Sequence, residues 1–278
     1  MHSLSRYIKT NNGLEIDIIS PLKPKEYEVL FANEILISKL VDIANLYSVT
    51  ELNSFILFNS KQELTSSLMA DRVLIMKEPD SEKLKINTYL LNYLFSFRTY
   101  IDHLETLLKR EFKTKPEILE EFKNLTGTLY DDSFEYRFIY KLRNYAQHCG
   151  LPIDIFEIKS SIIEDVYSVE IEIKFNVSLL LSKFEWGNPL KSNLESLDGN
   201  IDVMDTVISF HNLVQSIQNW FVKIISEYLN PIQDLLNQKT NEKNTNPLGL
   251  CITYKNEDGE LCVVDSVFRY LNQIKNSC

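Results

Sequence analysis

Apolar residues recur along this chain with two different periods, and the change of period divides it. In the stretch 81–112, Leu90, Leu94, Phe97, Ile101, Leu104 and Leu108 alternate steps of four and three, which is one face of an α-helix. Ser81 stands where it can cap this helix, and Glu78-Pro79-Asp80 marks its upstream boundary, because proline disfavours helical backbone in the residue before it. The same helix carries a polar stripe of Asn92, Ser96, Thr99 and His103, and a third stripe of Arg98, Asp102 and Glu105. A short helix is expected over 115–126, ending near Gly127. A strong one follows over 132–149, with Asp132 and Glu135 at capping-box spacing and Gly150 and Pro152 as stop signals. Its apolar positions are Phe138, Leu142, Tyr145 and Cys149. A further long helix spans 202–229, where Pro231 ends or kinks it, with continuation to 238.

Elsewhere the period falls to two. Val169, Ile171, Ile173 and Phe175 alternate with Glu170, Glu172 and Lys174, the pattern of a half-buried strand, and 153–158 is its candidate partner. Leu14 to Ile19 alternates in the same way, 26–48 and 62–70 read as helical, and Val73-Leu74-Ile75-Met76 is a short apolar run. Trp186-Gly187-Asn188-Pro189 and Asp198-Gly199-Asn200 mark a loop over 186–200. The polar stretch 239–247 reads as a linker, followed by a hairpin over 250–265 turning at Asp258-Gly259 and a tail helix over 266–275. The expected fold class is α+β, mainly α. Its expected parts are a mixed N-terminal accessory segment (1–80), a helical core (81–150), a β-strand insertion and loop (151–200), a bundle-completing helix (201–238), and a linker, hairpin and tail helix (239–278).

Composition narrows the function. A chain of 278 residues makes one large domain or two small ones, and 15 Phe, 14 Tyr and 2 Trp supply ample core material. Asp and Glu outnumber Lys and Arg by 39 to 29, a net charge of −10. Such a chain does not wrap long nucleic acid non-specifically, since phosphate affinity comes from clustered cations, but a local basic site stays open to it. No apolar run reaches the roughly 18 residues that span a bilayer, and no signal-peptide core follows Met1-His2-Ser3-Leu4-Ser5-Arg6. A cytoplasmic protein without a membrane partner is expected. Cys149, Cys251, Cys262 and Cys278 lack C-x-x-C spacing. A two-residue turn at Asp258-Gly259 sets Lys255 opposite Cys262 and leaves Cys251 out of bridging reach, so reduced thiols, no metal and no cofactor are expected. Phosphate-binding loops, dinucleotide fingerprints, nucleophile elbows and H-E-x-x-H are absent.

One stretch carries chemistry. Tyr136-Arg137-Phe138-Ile139-Tyr140-Lys141-Leu142-Arg143-Asn144-Tyr145-Ala146-Gln147-His148 concentrates three cations and a histidine in one helix of an acidic chain. Arg137, Lys141, Asn144 and His148 recur at helical spacing, and Arg143 shares the neighbouring stripe with Tyr136, Tyr140 and Gln147. A histidine titrates near neutrality and serves as general acid or base. A guanidinium grips a phosphate bidentately and stabilises its transition-state charge. Together they suit phosphodiester cleavage by an RNA 2′-hydroxyl, with Asn144 orienting the phosphate or the histidine.

Arg143-Asn144-Tyr145-Ala146-Gln147-His148 resembles the R-x(4–6)-H motif of HEPN domains, including the polar residue that often follows the arginine. HEPN proteins are helical bundles, commonly dimeric, and many are metal-independent ribonucleases of toxin–antitoxin, abortive-infection and CRISPR-associated systems. The resemblance covers roughly 81–150, with 202–236 completing the bundle, while the first 80 residues and the strands depart from a minimal HEPN domain. It implies that Arg143 and His148 are catalytic, that Asn144 assists, and that two protomers join their motifs in one cleft. RNA, a second copy of the chain, and an antitoxin or regulatory partner are the partners it implies. Arg137, Lys141, Tyr140 and Gln147 are then candidate substrate-binding residues. Arg98-Thr99-Tyr100-Ile101-Asp102-His103 repeats the pattern in mid-helix. There Asp102 is a ready ion-pair partner for Arg98, and Arg98, Asp102, His103, Asn92 and Ser96 form a supporting or alternative site. An antiparallel arrangement of the two helices would let His103 orient His148.

Plainer readings stand beside these. Arg143 and His148 also suit a solvated basic helix face with a histidine complementing the helix dipole. His211 reads as structural, and Trp220 and Phe221 as core. The Lys109-to-Lys115 run is either an RNA-steering patch or a solvated helix end, and Asp131-Asp132 is a helix start. The rivals to a ribonuclease are a non-catalytic HEPN-like interaction or regulatory module, and a helical ligand-binding protein.

Overall fold

Helical periodicity dominates the observed architecture, and antiparallel strands occupy the places where the period falls to two. The structure, a computed structural model, describes residues 2–11, 13–31, 34–70, 79–163, 166–241 and 250–264. The chain forms two compact units, Met1–Asn45 with Asn219–Cys278, and Leu46–Gln218. These boundaries cut across the expected segments, because the two chain ends share one sheet.

In the first unit, β1 (His2–Thr10) pairs antiparallel with β2 (Gly13–Pro21) on one side and with β6 (Leu250–Lys255) on the other. β7 (Leu261–Val264) completes a four-stranded sheet of order β2-β1-β6-β7. Leu4 faces Ile252 across the β1–β6 ladder and both are fully buried, while the Ser5 and Thr253 hydroxyls share a buried hydrogen bond of 2.7 Å. The hairpin register differs by one residue from the expected one: Tyr254, not Lys255, faces Cys262. The reason is a wider loop, in which the Asn256 carboxamide accepts the Glu260 N–H at 2.8 Å. Cys149, Cys251 and Cys262 form no disulfide among the described residues, and Cys278 and the tail helix lie outside them. α1 (Pro24–Phe31) opens with proline, and its Glu26 meets the Lys239 ammonium at 3.0 Å. Lys239 lies on α8 (Val203–Asn241), which runs through Pro231 as helix and shortens the expected linker at its start.

The second unit is built on α3 (Pro79–Glu111). Every residue of its predicted apolar stripe is buried, and Tyr93, Tyr100 and Leu107 widen that face. The widening has a cause, since several elements pack on this helix. Tyr100 sets its ring edge-on to Tyr47 of α2 (Glu34–Ala70), and its hydroxyl donates to Gln218 Oε1 at 2.9 Å. Phe97 meets Phe210 of α8 edge-on at 4.7 Å. α2 is continuous where two shorter helices were expected. α4 (Pro116–Asp132) continues past Gly127, and Asp131-Asp132 end it rather than start the next helix. Ser133 caps α5 (Phe134–His148), accepting the Tyr136 N–H at 3.1 Å.

β3 (Ile153–Ile163) and β4 (Val166–Phe175) form the predicted antiparallel ribbon, with β5 (Ile201–Asp202) beside the end of β4. Buried Asn87 of α3 brackets Ile153, accepting its N–H at 3.0 Å and donating to its carbonyl at 3.2 Å. α6 (Val177–Lys183) leads to Trp186, whose ring stacks on Phe138 and Tyr145 of α5 and whose indole N–H donates to the Leu180 carbonyl at 2.9 Å. The expected loop over 186–200 thus supplies a core side chain and a short helix, α7 (Leu190–Glu195). Among the described residues, no helix is long and apolar enough to cross a membrane.

Candidate functional site

α5 buries Phe138, Leu142 and Tyr145 and turns Tyr136, Tyr140 and Arg143 toward α3. The two helices run antiparallel. The Arg98 guanidinium carbon lies 4.4 Å from the Tyr140 ring centroid, and the Arg143 carbon 5.4 Å from that of Phe95. Both contacts are cation–π attractions, and each holds a long side chain in one place.

The two arginines differ in their charge partners. Arg98 Nε lies 2.9 Å from Asp102 Oδ2, the expected intrahelical ion pair. Arg143 has no carboxylate partner among the described residues. Its Nη1 donates to the Gln147 side-chain oxygen at 2.5 Å and to that of Asn144 at 3.4 Å, both neutral amides. Its Nε is buried without a partner. The cation is therefore positioned but not neutralised, which suits a phosphate.

His148 ends α5, is exposed, and has no hydrogen bond or ion pair among the described residues. Five residues along a helix amount to about 140° of rotation, so Arg143 and His148 of one chain point to different sides of α5. Arg137 is placed otherwise than a substrate-binding residue requires. It is only 8% exposed, and its Nη1 donates to the Tyr130 and Asp131 carbonyls at the end of α4, at 2.8 and 2.5 Å. Nη2 reaches Asn193 Oδ1 at 3.4 Å. It satisfies helix-end carbonyls, a structural task. Lys141 and Asn144 are half-buried and Gln147 is exposed.

The supporting shell is not gathered at His148. With Phe95 level with Arg143 and Arg98 level with Tyr140, His103 lies about 20 Å along the helix pair from His148. Antiparallel packing thus separates the two histidines. His103, Asn92 and Thr99 lie on the exposed face of α3, and Ser96 donates to its own helix at the Tyr93 carbonyl, 3.0 Å away. His211 packs against Phe58 and accepts or donates a hydrogen bond with the Tyr93 hydroxyl at 3.3 Å. Burial holds its pKa below the usual 6.5, opposed by the charge of Glu51. It is structural, as expected.

Beside the Arg98–Asp102 pair, α3, α4 and α5 enclose a pocket of about 230 Å³. Phe122, Tyr130, Tyr136 and Tyr140 give it aromatic walls, and Lys123 and Gly127 open onto it from α4. Tyr130 stands edge-on to Tyr140 at 6.1 Å, and Tyr136 stacks on Tyr140 at 6.3 Å. Burial raises the pKa of Tyr136, so its hydroxyl keeps its proton. The α4 residues were missed from sequence. The only trace of them there is a glycine in a stretch with helical periodicity, which reads equally as a helix end. Among the described residues, no group of three His, Cys, Asp or Glu side chains could hold a metal ion.

Comparison with known proteins gives no match, whether to protein-family models, to curated proteins or to solved structures.

Proposed function

We propose that the chain is a metal-independent RNA endonuclease of HEPN type, a cytoplasmic toxin or antiphage effector that acts as a homodimer. The observation that carries this reading is Arg143, a half-buried guanidinium held by neutral amides and an aromatic ring, with one nitrogen unpartnered. Arg143 grips the scissile phosphate, Asn144 positions it, and His148 moves the proton. The RNA 2′-oxygen attacks phosphorus as a base removes its proton. The bond to the 5′-oxygen breaks, and that oxygen takes up a proton, leaving a 2′,3′-cyclic phosphate and a 5′-hydroxyl. Since Arg143 and His148 diverge on one helix, the cleft is completed by His148 of a second copy.

The test is RNA cleavage by the purified full chain in excess EDTA, wild type beside Arg143→Ala and His148→Ala. The reading expects cleavage with cyclic phosphate ends, lost in both variants. Equal cutting by all three, or none by wild type, overturns it. A non-catalytic interaction module with a regulatory partner is the second reading. It is favoured by His148 having no partner among the described residues to orient the ring, and a dimeric wild type that cuts nothing supports it.

A further inference from the structure

Tyr136 is the most informative residue of the α3–α4–α5 pocket. Its side chain is 3% exposed and lines the pocket, where its hydroxyl is accessible and takes no hydrogen bond from the described residues. The hydroxyl is thus open to a ligand in the pocket.

The lining identifies the ligand. The aromatic rings meet at right angles, Tyr130 against Tyr140, with an 86° angle between planes. Such a corner takes a flat ring system, stacked on one wall and edged by the other. At about 230 Å³ the pocket falls below the roughly 300–1,000 Å³ that houses a drug-sized molecule, so it admits one ring system. Arg98 directs Nε at Asp102, and its two Nη groups have no acceptor among the described residues. Lys123 on the rim has no ion-pair partner there either, whereas Glu105 is paired with Lys109 at 2.6 Å. Two donors of positive charge beside an aromatic box suit a flat heterocycle carrying a phosphate. Aromatic side chains and arginine planes are how proteins hold unstacked nucleobases.

We propose that this pocket is a nucleobase site. Tyr130, Tyr136 and Tyr140 enclose the base, the Tyr136 hydroxyl bonds its edge, and Arg98 and Lys123 take the adjoining phosphate. The base comes from a free nucleoside monophosphate or from a splayed nucleotide of RNA. The proposal rests on the ribonuclease reading for RNA as one source. Gly127 makes the site testable. A Cβ there meets no atom within 4 Å, and its backbone is ordinary helix. Gly127→Leu therefore fills the pocket from α4 while improving helix propensity.

The experiment is calorimetric titration of the full chain with each nucleoside 5′-monophosphate, with ribose 5-phosphate, and with an uncleavable 2′-O-methyl RNA oligonucleotide. Wild type, Gly127→Leu, Tyr136→Phe and Lys255→Ala are compared. The proposal expects wild type to bind a monophosphate or the oligonucleotide. Binding should weaken about tenfold or more in Gly127→Leu, about fivefold in Tyr136→Phe, and not at all in Lys255→Ala, at an exposed residue of β6. Binding of monophosphates assigns a free nucleotide, and binding of the oligonucleotide alone assigns RNA. No binding by wild type overturns the proposal, as does unchanged binding in Gly127→Leu or binding of ribose 5-phosphate as strong as that of the nucleotides. Should circular dichroism show Gly127→Leu unfolded, Tyr136→Phe and the exposed Lys123→Glu decide the same question. Binding without cleavage overturns only the nuclease, and cleavage without these binding losses overturns only the pocket.

Discussion

Arg98 and Arg143 begin the same sequence pattern, lie in the same helix seam and each rest on an aromatic ring, yet one has a carboxylate partner and the other has none among the described residues. Arg98 has a carboxylate at i+4, whereas Arg143 has Gln147 there and Asn144 beside it. The comparison teaches that R-x4-H alone does not fix the surroundings of its arginine. The residue one turn on decides whether a carboxylate or a neutral amide holds the guanidinium.

The sharpest way to break the comparison is kinetic. Arg143→Ala or His148→Ala should lower the single-turnover RNA cleavage rate about 10²–10⁴-fold, while Arg98→Ala and His103→Ala leave it within about tenfold. A larger loss in the second pair moves the chemistry to α3. Arg137 extends the comparison to a buried arginine. Arg137→Ala should destabilise the fold by about 2–3 kcal/mol, because charged hydrogen bonds to the α4 end are lost, and urea denaturation measures it. Arg143→Ala should cost less than about 1 kcal/mol in the same assay.

His211 contrasts with the exposed histidines. Its folded pKa is depressed, so the unfolded chain binds the proton more readily. Its stabilising contribution is full above 6.5 and declines as pH falls from there toward the folded value. Unfolding free energy measured from pH 7 to pH 5 should fall more steeply for wild type than for His211→Gln, and parallel curves would contradict this. The smallest effect is expected from Asp102→Asn, about 0.3–0.5 kcal/mol for a helical surface pair, read as a midpoint shift in urea.

Much of the second unit is legible in its sequence because its order comes from short-range periodicity. The α3 stripe, α5 and the alternation of β4 are all visible before any contact is known. Gly127 misleads because helix propensity is overridden once the flanking turns pack, and Ser133 is the better cap because its side chain faces the open first turn of α5. Arg137 and Arg143 look alike in sequence. Only the position of the α4 end shows that one is buried against carbonyls. The pocket is illegible for the same reason, since its walls come from three helices whose mutual approach no local spacing encodes. The β1–β6 pairing joins residues too far apart for any window to connect.

That pairing has a consequence in time. The second unit is one uninterrupted stretch, while the first is assembled from both sides of it. Leu250 follows Thr10 by 240 positions, which a ribosome covers in roughly 12–50 s. Throughout that interval β1 has only β2 for a neighbour, and its other edge is an open template for stray strands. The helices that carry Arg143 and the tyrosine pocket are synthesised well before the sheet can close.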